Sequence, residues 1–336
     1  MTLRAPLWLA VSAQLALAAC APVVTGLGPP LRAPVLEDGR YVARDGTALP
    51  LRSGQPAGQP RAVVLAVHGF GDYGAGFEIP AAEWAGGGIA TYAYDQRGFG
   101  GSPTRGRWPG ADAMVADLVD VVALLRARHP ETPLFVLGES MGGAVAMVAA
   151  ARGSLSGIDG IVLCAPAVRG SDAIGPVASF ALRVFAHTVP WFSGPSGGQG
   201  FRPTDNEEVL RAWAADPQIL RSPRIDMAWG LVGLMDEAVT AAPRLDRPVL
   251  ILVGARDALV PGGAMARMLA TLPAAPADRR RVAVYDNGWH LLLRDLDAAR
   301  VRADVAHWVL SRGDQAASPL PSGADRPEVL ERNRLR

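Results

Sequence analysis

Short apolar runs alternate with longer amphipathic stretches along most of this chain. Six runs have the length and composition of buried strands: Ala62–Val67, Ile89–Tyr94, Pro133–Leu137, Ile158–Cys164, Pro248–Val253 and Arg281–Tyr285. They are apolar on consecutive positions, which suits parallel strands buried on both faces. Helical periodicity fills the intervals at 111–128, 140–152, 262–271 and 297–311. The first of these ends on Arg126, Arg128 and His129 before Pro130, a helix C-terminus with its basic residues in the last turn. Strand and helix in alternation predict an α/β architecture, a mostly parallel central sheet with helices on both faces. Residues 169–243 break the rhythm. They hold two apolar helix-like pieces, Ser179–Phe192 and Ile225–Val239, with Gly, Ser and Pro between them. An insertion of that kind predicts a helical cap over the sheet. The core is then 37–168 together with 244–312.

The two ends have other patterns. After Arg4 the chain is apolar from Ala5 to Ala19, too short and too interrupted by Pro6, Ser12 and Gln14 to span a bilayer. One early positive charge and a short apolar stretch mark residues 1–19 as a secretory signal. It closes on Leu17-Ala18-Ala19-Cys20, which resembles the bacterial lipobox, where the Cys is lipidated and becomes the new N-terminus. Ala21 is not acidic, which for such lipoproteins implies the outer membrane, facing the periplasm. Residues 20–36 are rich in Pro and Gly and predict a tether, and 313–336 predict a flexible tail.

Composition narrows the chemistry. The 336 residues carry 33 basic and 32 acidic side chains, a net charge of +1, so no basic surplus exists to hold a nucleic acid. Every basic residue is Arg, which removes any mechanism that needs a lysine. Two Cys exclude a disulfide scaffold and a Cys-rich zinc module, and no paired His–carboxylate ligands or nucleotide-binding glycine motif occur. No cofactor or metal is expected.

Gly138-Glu139-Ser140-Met141-Gly142 fits G-x-S-x-G between a strand and a helix, the context this motif requires. Gly194-Pro195-Ser196-Gly197-Gly198 has the same letters without that context and reads as a cap loop. The structural alternative for Ser140 is a helix N-cap. A serine hydroxyl needs a base. His290, just after the run 281–285, is placed for it, whereas His68, His129, His187 and His307 fall in a loop motif, a helix end, the cap and the last helix. Asp257 follows the run 248–253 and completes the order Ser, acid, His. Asp286 and Asp295 are rival acids. The amides of Met141 and of Phe70, in His68-Gly69-Phe70-Gly71, are candidates for the oxyanion hole. His68 is expected to brace that loop.

Four ordered motifs resemble monoacylglycerol lipases and bacterial lysophospholipases of the α/β-hydrolase fold: His68–Asp72, Tyr94–Ser102, Gly138–Gly143 and Gly288–Asp295. The resemblance implies Ser140 as nucleophile, Asp257 as acid, His290 as base, and the Phe70 and Met141 amides as oxyanion hole. Glu139 departs from the family pattern, which often has His before the serine. The implied activity is hydrolysis of a single-chain lipid ester, a monoacylglycerol or lysophospholipid, through an acyl-enzyme. A general carboxylesterase or an aminopeptidase is the alternative, and a non-catalytic tethered binding module the remote one. An aminopeptidase would need carboxylates converging from the cap, which carries Asp172, Asp205, Glu207, Glu208, Asp216, Asp226, Asp236 and Glu237. Cap aromatics, Phe185, Trp191 and Trp229 among them, are expected to sheath the acyl chain.

Overall fold

The computed structural model describes residues 21–194, 202–273, 280–311 and 319–326. The predicted signal, Cys20 and Ser196 lie outside them. Nine strands form one sheet: β1 Val35–Glu37, β2 Arg40–Val42, β3 Ala48–Gly54, β4 Ala62–Val67, β5 Ile89–Tyr94, β6 Leu134–Glu139, β7 Gly160–Cys164, β8 Val249–Gly254 and β9 Arg280–Tyr285. Their spatial order is β1-β2-β3-β5-β4-β6-β7-β8-β9. The strands from β5 to β9 pair in parallel, and β1, β2 and β3 join antiparallel at one edge. Sheet and α/β-hydrolase fold agree with the sequence pattern.

Alternate residues of the central strands feed two separate cores. Val63, Leu65 and Val67 of β4 join one, while Ala62, Val64 and Ala66 join the other. In β8, Val249 and Ile251 part from Leu250 and Leu252 in the same way. This period of two explains the unbroken apolar runs, since both faces of each strand are covered. The first face is covered by α2 (Ala111–Arg128), α3 (Met141–Ala151) and α8 (Gly262–Thr271). The second face is covered by α1 (Glu78–Gly86), through Trp84, and by α9 (Ala298–Leu310), through Val301, Val305 and Trp308.

The insertion is helical: α4 Ser171–Ile174, α5 Pro176–Thr188, α6 Glu207–Ala215 and α7 Ile225–Ala241. α7 lies against α3 and seats the cap on the nucleophile's helix.

Both ends depart from expectation. The predicted tether is engaged from Val24 onward: the Thr25 amide donates to the Trp108 carbonyl at 2.9 Å, the Leu31 amide donates to Arg44 at 2.7 Å, and 35–37 is a strand. In the predicted tail, residues 319–326 line the open edge of β9. The Val284 amide donates to Ala324 and the Arg326 amide to Val282, each at 2.9 Å, and Leu320 is buried. An edge strand offers unpaired amides and carbonyls, and this segment satisfies them. Helical and strand periodicity cannot reveal such extended partners, because they have neither.

Candidate active site

Parallel strands bring their carboxyl ends to one edge of the sheet, and the register sets which ends are neighbours. Gly138 pairs with Val67, Glu139 with Cys164, and Gly254 with Tyr285. The residues that follow β6, β8 and β9 therefore meet above that edge. Ser140 follows β6 directly, with φ 52° and ψ −114°. A non-glycine residue there stores about 1–3 kcal/mol of strain, held by the surrounding hydrogen bonds. The Ser140 amide donates to Cys164, and the Ser140 carbonyl accepts from Ala167, both at 2.9 Å. Gly142 makes the turn possible, since a Cβ there would lie 2.0 Å from the Val67 carbonyl oxygen. Ser140 is thus a strained turn residue at the mouth of α3, and its side chain makes no capping bond.

Asp257 closes the turn after β8. Its Oδ1 accepts from the amides of Leu259 at 2.8 Å and Val260 at 3.0 Å. Its Oδ2 accepts from His290 Nδ1 at 2.8 Å, and both side chains are buried. The β8 and β9 loops touch where Gly254 sits, because a Cβ there would lie 2.3 Å from the Trp289 carbonyl. Of the rival acids, Asp286 is exposed, 3.9 Å from Arg326. Asp295 accepts from the Trp289 amide at 2.7 Å, and burial raises its pKa to about 6. Asp257 is the acid on His290. With Nδ1 committed to Asp257, Nε2 is the nitrogen left to take a proton. His290 and Ser140 line one cavity.

Phe70 lines that cavity too, and Met141 is the first residue of α3, where an amide has no acceptor in its own helix. His68 lies beneath the loop, fully buried. Its Nε2 accepts from the Gln96 amide at 2.8 Å, which leaves Nδ1 to donate to the Gly69 carbonyl at 2.8 Å. Burial lowers its pKa, so it is a neutral brace. From the cap side, the Leu220 amide donates to the Gly71 carbonyl at 2.8 Å.

A buried ionic cluster also ties these segments together, and the sequence motifs alone did not disclose it. Arg294 Nη2 donates to Asp72 Oδ2 at 2.6 Å and to Glu139 Oε2 at 2.7 Å. Asp72 belongs to the Phe70 loop, Glu139 precedes the nucleophile, and Arg294 follows His290 by one helical turn's worth of residues. Burial pushes the Glu139 carboxyl up from its ordinary value while Arg294 opposes the shift. The unusual Glu139 was the visible signal, since a carboxylate at the end of a buried strand requires a cation.

The arrangement can perform acyl transfer. In such a transfer Ser140 would attack, His290 would take the proton, Asp257 would stabilise the imidazolium, and the Phe70 and Met141 amides are the expected oxyanion donors. Among the described residues no group of three His, Cys, Asp or Glu is placed to hold a metal ion.

A family model described as serine aminopeptidase, S33, matches residues 58–297, well over half of the chain. The chain belongs to that family. It is 29% identical over 260 residues to a monoacylglycerol lipase of Mycolicibacterium smegmatis, covering 76% of this chain and 90% of that protein. It is 28% identical over 291 residues to a human monoglyceride lipase, covering 83% and 92%. The crystal structure of a monoacylglycerol lipase from Paleococcus ferrophilus superposes with a TM-score of 0.65 at 22% identity, over 79% of this chain and 99% of that one. The protein is a serine hydrolase of the α/β-hydrolase fold.

The cavity has a volume of about 920 Å³. Its cap wall corrects the expectation for the aromatics. Leu210 and Trp213 of α6 and Leu231 and Met235 of α7 line it, whereas Phe185, Trp191 and Trp229 do not. On α5, Leu182 and Ala186 pack inward, whereas Phe180 and Phe185 are exposed. Phe185 and Trp191 are each 53% exposed. Trp229 packs edge-on to His187 at 5.7 Å between ring centres.

Proposed function

We propose that this hydrolase cleaves carboxylic esters of single-chain lipids through an acyl-enzyme on Ser140. The observation that carries the reading is the cavity: Leu210, Trp213, Leu231, Met235, Leu259 and Val260 wall it, and Ser140 and His290 stand at its side. Its volume is at the upper end of the roughly 300–1,000 Å³ of ligand sites in general, room for a long acyl chain. The lipase names of the relatives support the same substrate class.

The aminopeptidase alternative needs carboxylates for a substrate ammonium. None of the eight cap acids lines the cavity. Asp216 accepts from Tyr73, Asp226 pairs with Arg224, Asp236 accepts from Ser171, and Glu237 pairs with Arg152. The acids that do line it, Asp72 and Glu139, both face Arg294.

We further infer a lipid-anchored protein, tethered through Cys20 to the bacterial outer membrane on its periplasmic side. No helix among the described residues is long and apolar enough to cross a membrane. Val177, Phe180, Phe185, Trp191 and Phe192 form an exposed apolar surface on the cap, 53–83% exposed, suited to rest against lipid.

A fluorescent phosphonate that labels active serines, applied beside a Ser140→Ala variant, tests the chemistry, and p-nitrophenyl esters from butyrate to stearate test the substrate. Labelling should vanish in the variant, and the rate should peak at long acyl chains. A peak at butyrate would shift the reading to a general esterase.

A further inference from the structure

Four charged side chains line the cavity besides His290: Asp72, Glu139, Arg169 and Arg221. Three are committed. Asp72 and Glu139 share Arg294, and Arg221 donates to the Ala214 carbonyl. Arg169 is different. Among the described residues no carboxylate lies within ion-pair distance of it, and its Nε is buried with no acceptor. Asp236, which lies beside Gly170, accepts instead from the Ser171 amide at 2.7 Å and the Ser171 hydroxyl at 3.1 Å through Oδ1.

Arg169 is also close to the chemistry. It stands two residues past Ala167, whose amide donates to the carbonyl of Ser140 itself. A guanidinium is always charged, and one that lines an apolar cavity with no carboxylate partner is open to a charge-assisted contact with an anion. Its planar fork matches the oxygens of a phosphate. The opposite wall is apolar, so the anion has to be attached to an apolar chain.

We propose that Arg169 is the anion subsite of this cavity, and that the substrate is a single-chain ester whose head carries a phosphodiester. The proposal rests on the single-chain lipid reading above and separates lysophospholipids from neutral monoacylglycerols. In it the acyl chain lies against Leu231 and Met235, the ester carbonyl at Ser140, and the phosphate at Arg169.

Two measurements on the mature, full-length protein test it. The first compares kcat/KM for oleoyl lysophosphatidylglycerol and for monooleoylglycerol in the wild type, Arg169→Gln and Arg169→Lys. The second compares inhibition of p-nitrophenyl butyrate hydrolysis by dodecyl phosphate and by dodecanol, and requires no lipid turnover. The wild type should prefer the phosphorylated member of each pair by about tenfold or more, the worth of one charge-assisted contact. Arg169→Gln should erase the preference and Arg169→Lys restore part of it. Equal preference in the wild type and Arg169→Gln, or none in the wild type, overturns the proposal. If neither lipid is cleaved, the single-chain lipid reading fails by itself, and the inhibitor pair still decides whether Arg169 holds an anion.

Discussion

The Arg294 cluster makes a demanding prediction. Arg294, Asp72 and Glu139 are 9%, 3% and 1% exposed, and one guanidinium nitrogen serves both carboxylates at 2.6 and 2.7 Å. Arg294→Met keeps much of the buried volume and removes the only cation in contact with either acid among the described residues. Breaking a buried pair by deleting one partner costs about 3–5 kcal/mol, because the remaining charge is uncompensated. Here two carboxylates are left facing each other, so the upper part of that range applies. The cost must depend on pH. Burial already raises the Glu139 pKa, and Arg294 is the largest influence holding it down. Without Arg294 the folded value rises further above the unfolded one, near about 4.3. The folded state then binds more protons than the unfolded state, and stability falls as pH rises between those two values. Urea unfolding followed by tryptophan fluorescence should show the variant crippled near about pH 8 and partly recovered near about pH 5. Phosphonate labelling of Ser140 should slow as well, because the residue before the nucleophile, the oxyanion loop and the His290 loop lose their common tie. A loss below about 1 kcal/mol that is the same at both pH values would refute the argument.

Asp257→Asn retains an oxygen for the Leu259 and Val260 amides but presents an N–H₂ to His290 Nδ1. The fold should survive while turnover drops by about 10⁴, since the imidazole is held in the wrong tautomer; near-normal turnover would remove Asp257 from the mechanism. Cys20→Ala should move the protein from the membrane to the soluble fraction on cell fractionation, and retention in the membrane would count against lipid anchoring at that residue.

The sequence displayed the central sheet because strands covered on both faces are apolar at every position, as in Ala62–Val67 and Val249–Gly254. It displayed the nucleophile because a strained serine between strand and helix needs glycines that are visible as letters. Strands β1 to β3 were not legible. β1 and β2 have three residues each, and β3, Ala48–Gly54, alternates buried Leu49 and Leu51 with partly exposed Pro50 and Arg52, so no apolar run stands out. The docking of 319–326 on β9 was hidden for a related reason: backbone atoms make the bonds at Val282 and Val284, and backbone atoms are the same in every sequence.

The site divides along the same line. Strand register places Ser140, Asp257 and His290, and each position follows from counting residues past the end of a buried run. The cap places the substrate, and there one turn of a helix decides which side chain meets it. Phe185 and Leu182 are three residues apart on α5, yet one is 53% exposed and the other packs on the core. A mostly apolar helix gives no sign of which side faces in. The same holds for Arg169. As a letter it is one of 33 arginines, most of which the fold pairs with acids or carbonyls. Its meaning comes from the partner it lacks, and a missing partner is visible only once the neighbours are in place. Catalysis in this protein is therefore written in local spacing, whereas specificity is written in what the folded cavity leaves unsatisfied.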